Sequence, residues 1–314
     1  MTKAKSQRGK PSVVIVGPGR LGFALAVALR ASGYPIRAFV SRRAEHARKA
    51  ARLFNGSESL VHPLSVDQFA QLPPSDLVLI ATPDDAIEET ARRLAACERG
   101  TSGRATRRRT VLHTSGALSS EVLAPLAQAG FHTGSLHPLV SVSESRAGAK
   151  ALHGAFFCLE GDKAALRLAG KIVSDLGGTS FSIRPENKAL YHAAAVMASP
   201  HLVALFDIAV EMLAACGLTQ KTAKEILLPL LESTVNNLKV TDARRALTGT
   251  FARGDLATVK RHLSALSPQE FAEALEVYKL LGLHSLRLAS RNGLDEKLLK
   301  QLRRILESSN LRKK

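Results

Sequence analysis

The sequence has no tryptophan, and aromatic residues make up only 4% of its 314 positions. Proteins that bind single-stranded nucleic acid stack bases on aromatic rings. The excess of Lys and Arg over Asp and Glu, 44 against 27, is therefore not read as a nucleic-acid surface. Much of the formal charge of +17 sits at Lys3, Lys5, Arg8 and Lys10, at Arg104 and Arg107-Arg108-Arg109, and at Arg312-Lys313-Lys314. Charge in a tail, a loop and a terminus needs no macromolecular partner, and the field it makes concentrates small anions. Cys97, Cys158 and Cys216 lie far apart without C-x-x-C spacing. They read as reduced thiols of a cytoplasmic protein. His113, His132 and His153 show no ligand spacing, so no metal is expected. No apolar run approaches the roughly 18 residues of a membrane span. Residues 1–11 are basic, lack the apolar core of a signal peptide and read as a disordered tail.

What is present begins at Ser12-Val13-Val14-Ile15-Val16-Gly17-Pro18-Gly19-Arg20-Leu21-Gly22. A buried strand runs into G-x-G-x-x-G as an apolar-periodic helix starts. Gly17 permits the tight turn, Gly19 lets a pyrophosphate approach the backbone, and Gly22 lets helix and strand pack closely. Free N–H groups at the helix start would face the phosphates. The second strand ends in Ser41-Arg42-Arg43 rather than in the Asp or Glu that binds a ribose 2′-hydroxyl. A small polar residue beside guanidinium groups suits a 2′-phosphate. Two arginines at the positive end of a helix dipole also call for an anion. The cofactor expected is NADP, held by Gly17, Gly19, Arg20, Leu21, Gly22, Ser41, Arg42 and Arg43, with Thr82 and Pro83 at the end of a further strand.

Strands alternate with helices through residue 184, which predicts a parallel, doubly wound sheet. Strands are expected at Asp76–Pro83, Thr110–Thr114, Phe131–Leu136, Ala155–Leu159 and Thr179–Ile183, and helices at Ala44–Phe54, Ser119–Ala129 and Lys163–Leu176. Glu98–Thr110 reads as a polar connector. From residue 185 the period is helical throughout: Glu186–Cys216, Thr219–Lys239, Asp255–Leu266, Pro268–Ala289 and Asp295–Leu311. The fold class is α/β, a Rossmann domain over 12–184 followed by an all-helical substrate and dimerisation domain over 185–314.

Four strings carry a resemblance. His113-Thr114-Ser115-Gly116-Ala117-Leu118, Ser135-Leu136-His137-Pro138-Leu139, the segment Lys188–Ala195 and the segment Ala246–Leu263 together resemble the DUF2520 family. Its members are described as Rossmann-like or NADP oxidoreductases, within the superfamily of 6-phosphogluconate and 3-hydroxyacid dehydrogenases. The resemblance spans roughly residues 12–290 and implies a fold and a cofactor class, not a substrate. The chain has Ser199-Pro200 where the family has Ser-Asn, and Thr248-Gly249-Thr250 where it has Thr-Gly-Pro.

Ser115 and His137 follow strand ends, where ligands bind in open α/β sheets. The layout is similar to the Ser and catalytic His of 3-hydroxyacyl-CoA dehydrogenases, with Glu144 and Glu160 the candidates to orient the imidazole. Lys188 and His192 sit one helical turn apart, similar to the start of the proton-donating helix in 3-hydroxyisobutyrate-type dehydrogenases. For each the competing reading is structural: a His-Pro turn, an exposed first-turn Lys, a core His with a satisfied tip. Asp255 reads as a helix N-cap, against an Arg253 that reaches a substrate carboxylate. The expectation is that Ser115, His137, Lys188 and His192 form a catalytic cleft between the domains. The function expected is hydride exchange between NADP and a small anionic carbonyl or hydroxy compound. The alternative is a dinucleotide-binding regulatory or scaffold protein without turnover. A homodimer through the helical domain is expected, with no nucleic acid and no membrane.

Overall fold

The computed structural model describes residues 9–54, 61–99 and 109–308. Most of the expected basic tail, most of the connector with Arg104, Arg107 and Arg108, and the final Arg312-Lys313-Lys314 lie outside them. The chain forms two compact units that divide between Ser199 and Pro200.

The first unit runs β1 (Val13–Val16), α1 (Arg20–Ala31), β2 (Ile36–Ser41), α2 (Ala44–Phe54), β3 (His62–Ser65), β4 (Leu77–Ile80), α3 (Asp84–Arg99), β5 (Thr110–His113), α4 (Ala124–Gln128), β6 (His132–Pro138), α5 (Ser145–Leu152), β7 (Phe156–Gly161), α6 (Lys163–Asp175), β8 (Thr179–Phe181) and α7 (Lys188–Ala198). The eight strands form one sheet in the order β3-β2-β1-β4-β5-β6-β7-β8. All pairs are parallel except β6–β7, which is antiparallel and sets His137 opposite Cys158. The sequence predicts a parallel sheet; the antiparallel pair departs from it, and the chain returns from β6 to β7 through α5, a helix not predicted from the sequence. Pro125 confines the helix expected at Ser119–Ala129 to a short 3-10 turn at Ser120–Leu123 followed by α4.

β1, β4 and β5 are buried along their whole length, because helices cover both faces. Ile15, Leu79 and Leu112 pack under α1, α2, α5 and α6. Val14, Ile80 and Val111 pack under α3, α4 and Phe69. Each such side chain contributes roughly 1.5–3 kcal/mol on burial. β3 carries Pro63 and is an edge strand, where the lost N–H faces no partner.

The second unit is helical: α8 (Pro200–Ala215), α9 (Gln220–Val240), α10 (Ala243–Ala246), α11 (Gly249–Arg253), α12 (Leu256–Ala265), α13 (Ala272–Arg291) and α14 (Glu296–Ser308). Val259, Leu286, Leu302 and Leu306 form its core. Asp255 caps α12 by accepting from the Thr258 N–H at 3.0 Å. The helix expected at Glu186–Cys216 breaks at Ser199, where Pro200 opens α8 with the φ that a first helical position needs. Residues 185–215 contain an 18-residue window with a mean hydropathy of 1.7, long and apolar enough to cross a membrane by length and composition. No such stretch was expected.

The α1 turn rests on a contact between two glycines. A Cβ built on Gly22 would lie 2.2 Å from the Gly17 carbonyl oxygen. Gly22→Ala is expected to destabilise the fold by about 1–3 kcal/mol, the usual cost of overpacking, read as a lower denaturant midpoint.

Candidate functional site

β1 delivers the chain to Gly17, whose φ of +88° is open to glycine at little cost. A Cβ there would also meet the Ala81 carbonyl carbon at 2.7 Å and the Thr82 nitrogen at 2.8 Å. Gly19 differs from both its partners: nothing lies within 4 Å of where its Cβ would be. Gly17 and Gly22 are therefore fixed by the protein's own packing, whereas Gly19 faces open space. Gly19 is also the N-cap of α1, with no side-chain cap and no acidic residue in the first turn. Unscreened N–H groups at a helix start attract anions.

The open space is part of a cavity of about 540 Å³, lined by the Gly17–Arg20 turn, Phe23, Ser41, His46, Lys49, Ala50, Leu53, Glu144 and Ser145. Leu21 packs instead against the core of the sheet, and Gly22 is buried. Thr82 has a buried side-chain oxygen without a hydrogen-bond partner among the described residues, and Pro83 is exposed. Ser41 lines the cavity, but Arg42 and Arg43 are exposed and outside the lining. The basic side chains that α2 adds to the lining are His46 and Lys49, one turn apart. Sequence reasoning missed them, although their spacing on the polar face of α2 was available.

The second cluster lies beyond β5 and β6, at the same carboxyl edge of the sheet, and all of it belongs to the first unit. Lys188 is 1% exposed although it opens α7. Its Nζ donates to the Ser135 hydroxyl at 2.9 Å and to the Ser115 carbonyl at 3.2 Å. These bonds tie α7 to the ends of β5 and β6. The Ser115 hydroxyl is fully engaged: it donates to Asp84 at 2.8 Å and accepts from the Ala117 and Leu118 amides at 3.1 and 3.0 Å. It has no capacity left to orient a carbonyl. His137 and His192 meet edge to face with centroids 5.8 Å apart. Both rings crowd Gly116, where a Cβ would lie 2.5 Å from His192 Cδ2 and 2.8 Å from His137 Nε2.

Neither candidate carboxylate orients His137. Glu160 accepts from the Ser120 amide and hydroxyl, each at 2.6 Å, and Glu144 lines the other cavity. The partner is Tyr191, whose hydroxyl lies 2.7 Å from His137 Nδ1. Burial, then the Lys188 charge, then His192, push the His137 pKa down from 6.5 to about 4. Burial and Lys188 bring His113 to about 4 as well. Burial lowers the Lys188 pKa against the pull of Cys158, Glu160 and Asp84, none of which forms an ion pair with it. Burial raises that of Tyr191, so its hydroxyl keeps its proton. The arrangement holds neutral imidazoles beside a buried positive charge. Tyr191 has no role assigned to it from the sequence; its place between Lys188 and His192 in the sequence is the available signal.

Strand order, glycine turn and flanking helices define a Rossmann-like α/β protein. A Rossmann-like domain model matches residues 1–138, and the model of a domain of unknown function, DUF2520, matches residues 155–285. The chain is thus a Rossmann-like protein carrying a DUF2520 domain, as the four strings implied. Among solved structures, BF3122 of Bacteroides fragilis, assigned as an NADP oxidoreductase, shares 22% identity at a TM-score of 0.67, over 87% of this chain and 96% of that one. Protein TM1727 of Thermotoga maritima shares 23% at 0.66, over 89% and 99%. Pyrroline carboxylate reductase of Plasmodium falciparum, with NADP bound, shares 12% at 0.52, over 95% and 97%. At these identities the likeness is one of fold. No curated protein matches the sequence.

The two depressed histidines set a pH dependence of stability. The folded chain keeps His113 and His137 neutral down to about 4, whereas the unfolded chain protonates them near 6.5. Their contribution is present above the unfolded value and is lost as pH falls from there toward the folded one. The expected loss is up to about 1.4 kcal/mol per pH unit for each histidine, measured as denaturant midpoints across that range. His137→Gln should flatten the slope; an unchanged slope would contradict the burial argument.

Proposed function

We propose that the protein binds NADP(H) and exchanges hydride with a small anionic carbonyl or hydroxy compound. The observation that carries this reading is the glycine turn, closed by packing at Gly17 and Gly22 and open at Gly19. That open side borders a cavity with Arg20, His46 and Lys49 in its lining and no carboxylate from β2. The α1 amides and Arg20 would take the pyrophosphate, and Ser41, His46 and Lys49 the 2′-phosphate. The carboxylate in the lining, Glu144, comes from the chain before α5. The dinucleotide supplies the hydride when bound. His137 and His192 would hold the substrate oxygen over Gly116, and the Lys188 charge would favour an anionic substrate. That BF3122 is assigned as an NADP oxidoreductase, and that the Plasmodium reductase binds NADP, supports the choice of cofactor.

A second reading, dinucleotide binding without turnover, is favoured by one observation: the Lys188 ammonium and the Ser115 hydroxyl are spent on internal bonds. Consumption of NADPH with any member of a panel of 2-keto, 3-keto and imino acids decides for catalysis. We further propose a cytoplasmic homodimer assembled through residues 185–314. The support is the exposed apolar side chains of Leu190, Met197, Val203, Ile226, Leu230 and Leu238 on α7, α8 and α9. Light scattering at micromolar concentration is expected to give twice the chain mass; a monomer would count against the dimer.

NADPH is expected to bind at least about tenfold more tightly than NADH, about 1.4 kcal/mol. Lys49→Gln should remove more of that preference than Arg42→Ala, because Lys49 lines the cavity and Arg42 does not. Gly19→Val should fold normally yet bind neither cofactor. Equal affinities for the two cofactors in the wild-type protein would refute the assignment.

A further inference from the structure

We propose that Tyr191 is a positioning residue that fixes His137 as the neutral Nε2–H tautomer, so that His137 offers a hydrogen bond to a substrate oxygen instead of a proton. The role of that bond rests on the hydride-transfer reading; the tautomer does not.

The argument starts from the single hydroxyl proton of Tyr191. Its oxygen lies 2.7 Å from His137 Nδ1, and Cys158 is the residue opposite His137 in the β6–β7 pair. Two proton orders are open. In one, the Tyr191 hydroxyl donates to Nδ1. In the other, Nδ1–H donates to the tyrosine oxygen. An imidazole nitrogen is a stronger acceptor than a phenol oxygen, and the neighbouring sulfur is a weak one for the hydroxyl proton that the second order would leave over. This selects the first order. The proton of His137 then resides on Nε2, for which no hydrogen bond is present among the described residues, on the edge of the ring that crowds Gly116.

The surroundings keep the ring neutral. Lys188 and His192 from α7 oppose a second proton, and burial acts in the same direction. Cys158, whose thiol is pushed up by burial, adds no negative charge. A neutral imidazole N–H aimed at a developing oxyanion stabilises it without a proton transfer. This differs from the expectation, made from the sequence, that His137 shuttles a proton near neutral pH.

The test uses the full chain labelled at histidine nitrogen, with the His137 signals identified by their loss in His137→Gln. Long-range hydrogen–nitrogen correlation spectra report the tautomer directly. The wild-type protein is expected to show a protonated Nε2 and a bare Nδ1, unchanged between about pH 8 and pH 5. Tyr191→Phe should lose the single tautomer and give a mixture, whereas Cys158→Ala should keep the Nε2–H form. A wild-type spectrum with the proton on Nδ1 overturns the proposal, whether or not the variants fold. So does a Tyr191→Phe protein that retains one Nε2–H tautomer. A separate NADPH titration reports on the cofactor reading, so the two can fail independently.

Discussion

The backbone contact between the turn after β1 and the end of β4 is the constraint on which the architecture depends. Strand order reverses between these two strands, and it is there that an open α/β sheet has a crevice beyond its carboxyl edge. Gly17 lies against Ala81 and Thr82 with no room for a side chain, and Gly22 lies against Gly17. The stack leaves the first turn of α1 aimed outward with its N–H groups unscreened. Side chains could not hold this geometry as tightly, because any Cβ at Gly17 or Gly22 would push the two loops apart.

Around the ends of β5 and β6 the organising element is a charge. Lys188 is buried and held by one hydroxyl and one carbonyl, with no ion pair to a carboxylate among the described residues. A cation so placed costs several kcal/mol in desolvation, and its field is correspondingly little screened. Burial does most to hold the His113 and His137 pKa values down, and the Lys188 charge adds to it. Lys188 thus acts on the cluster electrostatically, although its own ammonium points into the protein.

The glycine turn could be read from the sequence because its chemistry is local: three glycines, a strand before them and a helix after. The strands of the first unit followed from apolar β-branched runs for the same reason. What the sequence concealed depends on distance along the chain. Lys188 meets partners 73 and 53 residues away, and Tyr191 meets His137 54 residues away. A lysine in a first helical turn carries no local sign of burial. β3 and α5 escaped because a four-residue, proline-bearing edge strand and an eight-residue helix are too short for a pattern to stand out. Arg42 and Arg43 are outside the cavity lining, whereas His46 and Lys49 of α2 are in it.

The reversal of strand order between β1 and β4 also bears on how the molecule assembles in time. β1 pairs with β2 after one short crossover, but its other edge must wait for β4, with Val13 meeting Leu77 across two intervening strands. Closing that loop costs chain entropy before any contact offsets it, and parallel pairings of this kind form slowly. The junction that holds the glycine turn is therefore among the late joints of the sheet. Until it closes, β1 carries a bare edge of Val and Ile, and the crevice that defines the folded protein is the place where the nascent one is most prone to pair with a neighbour.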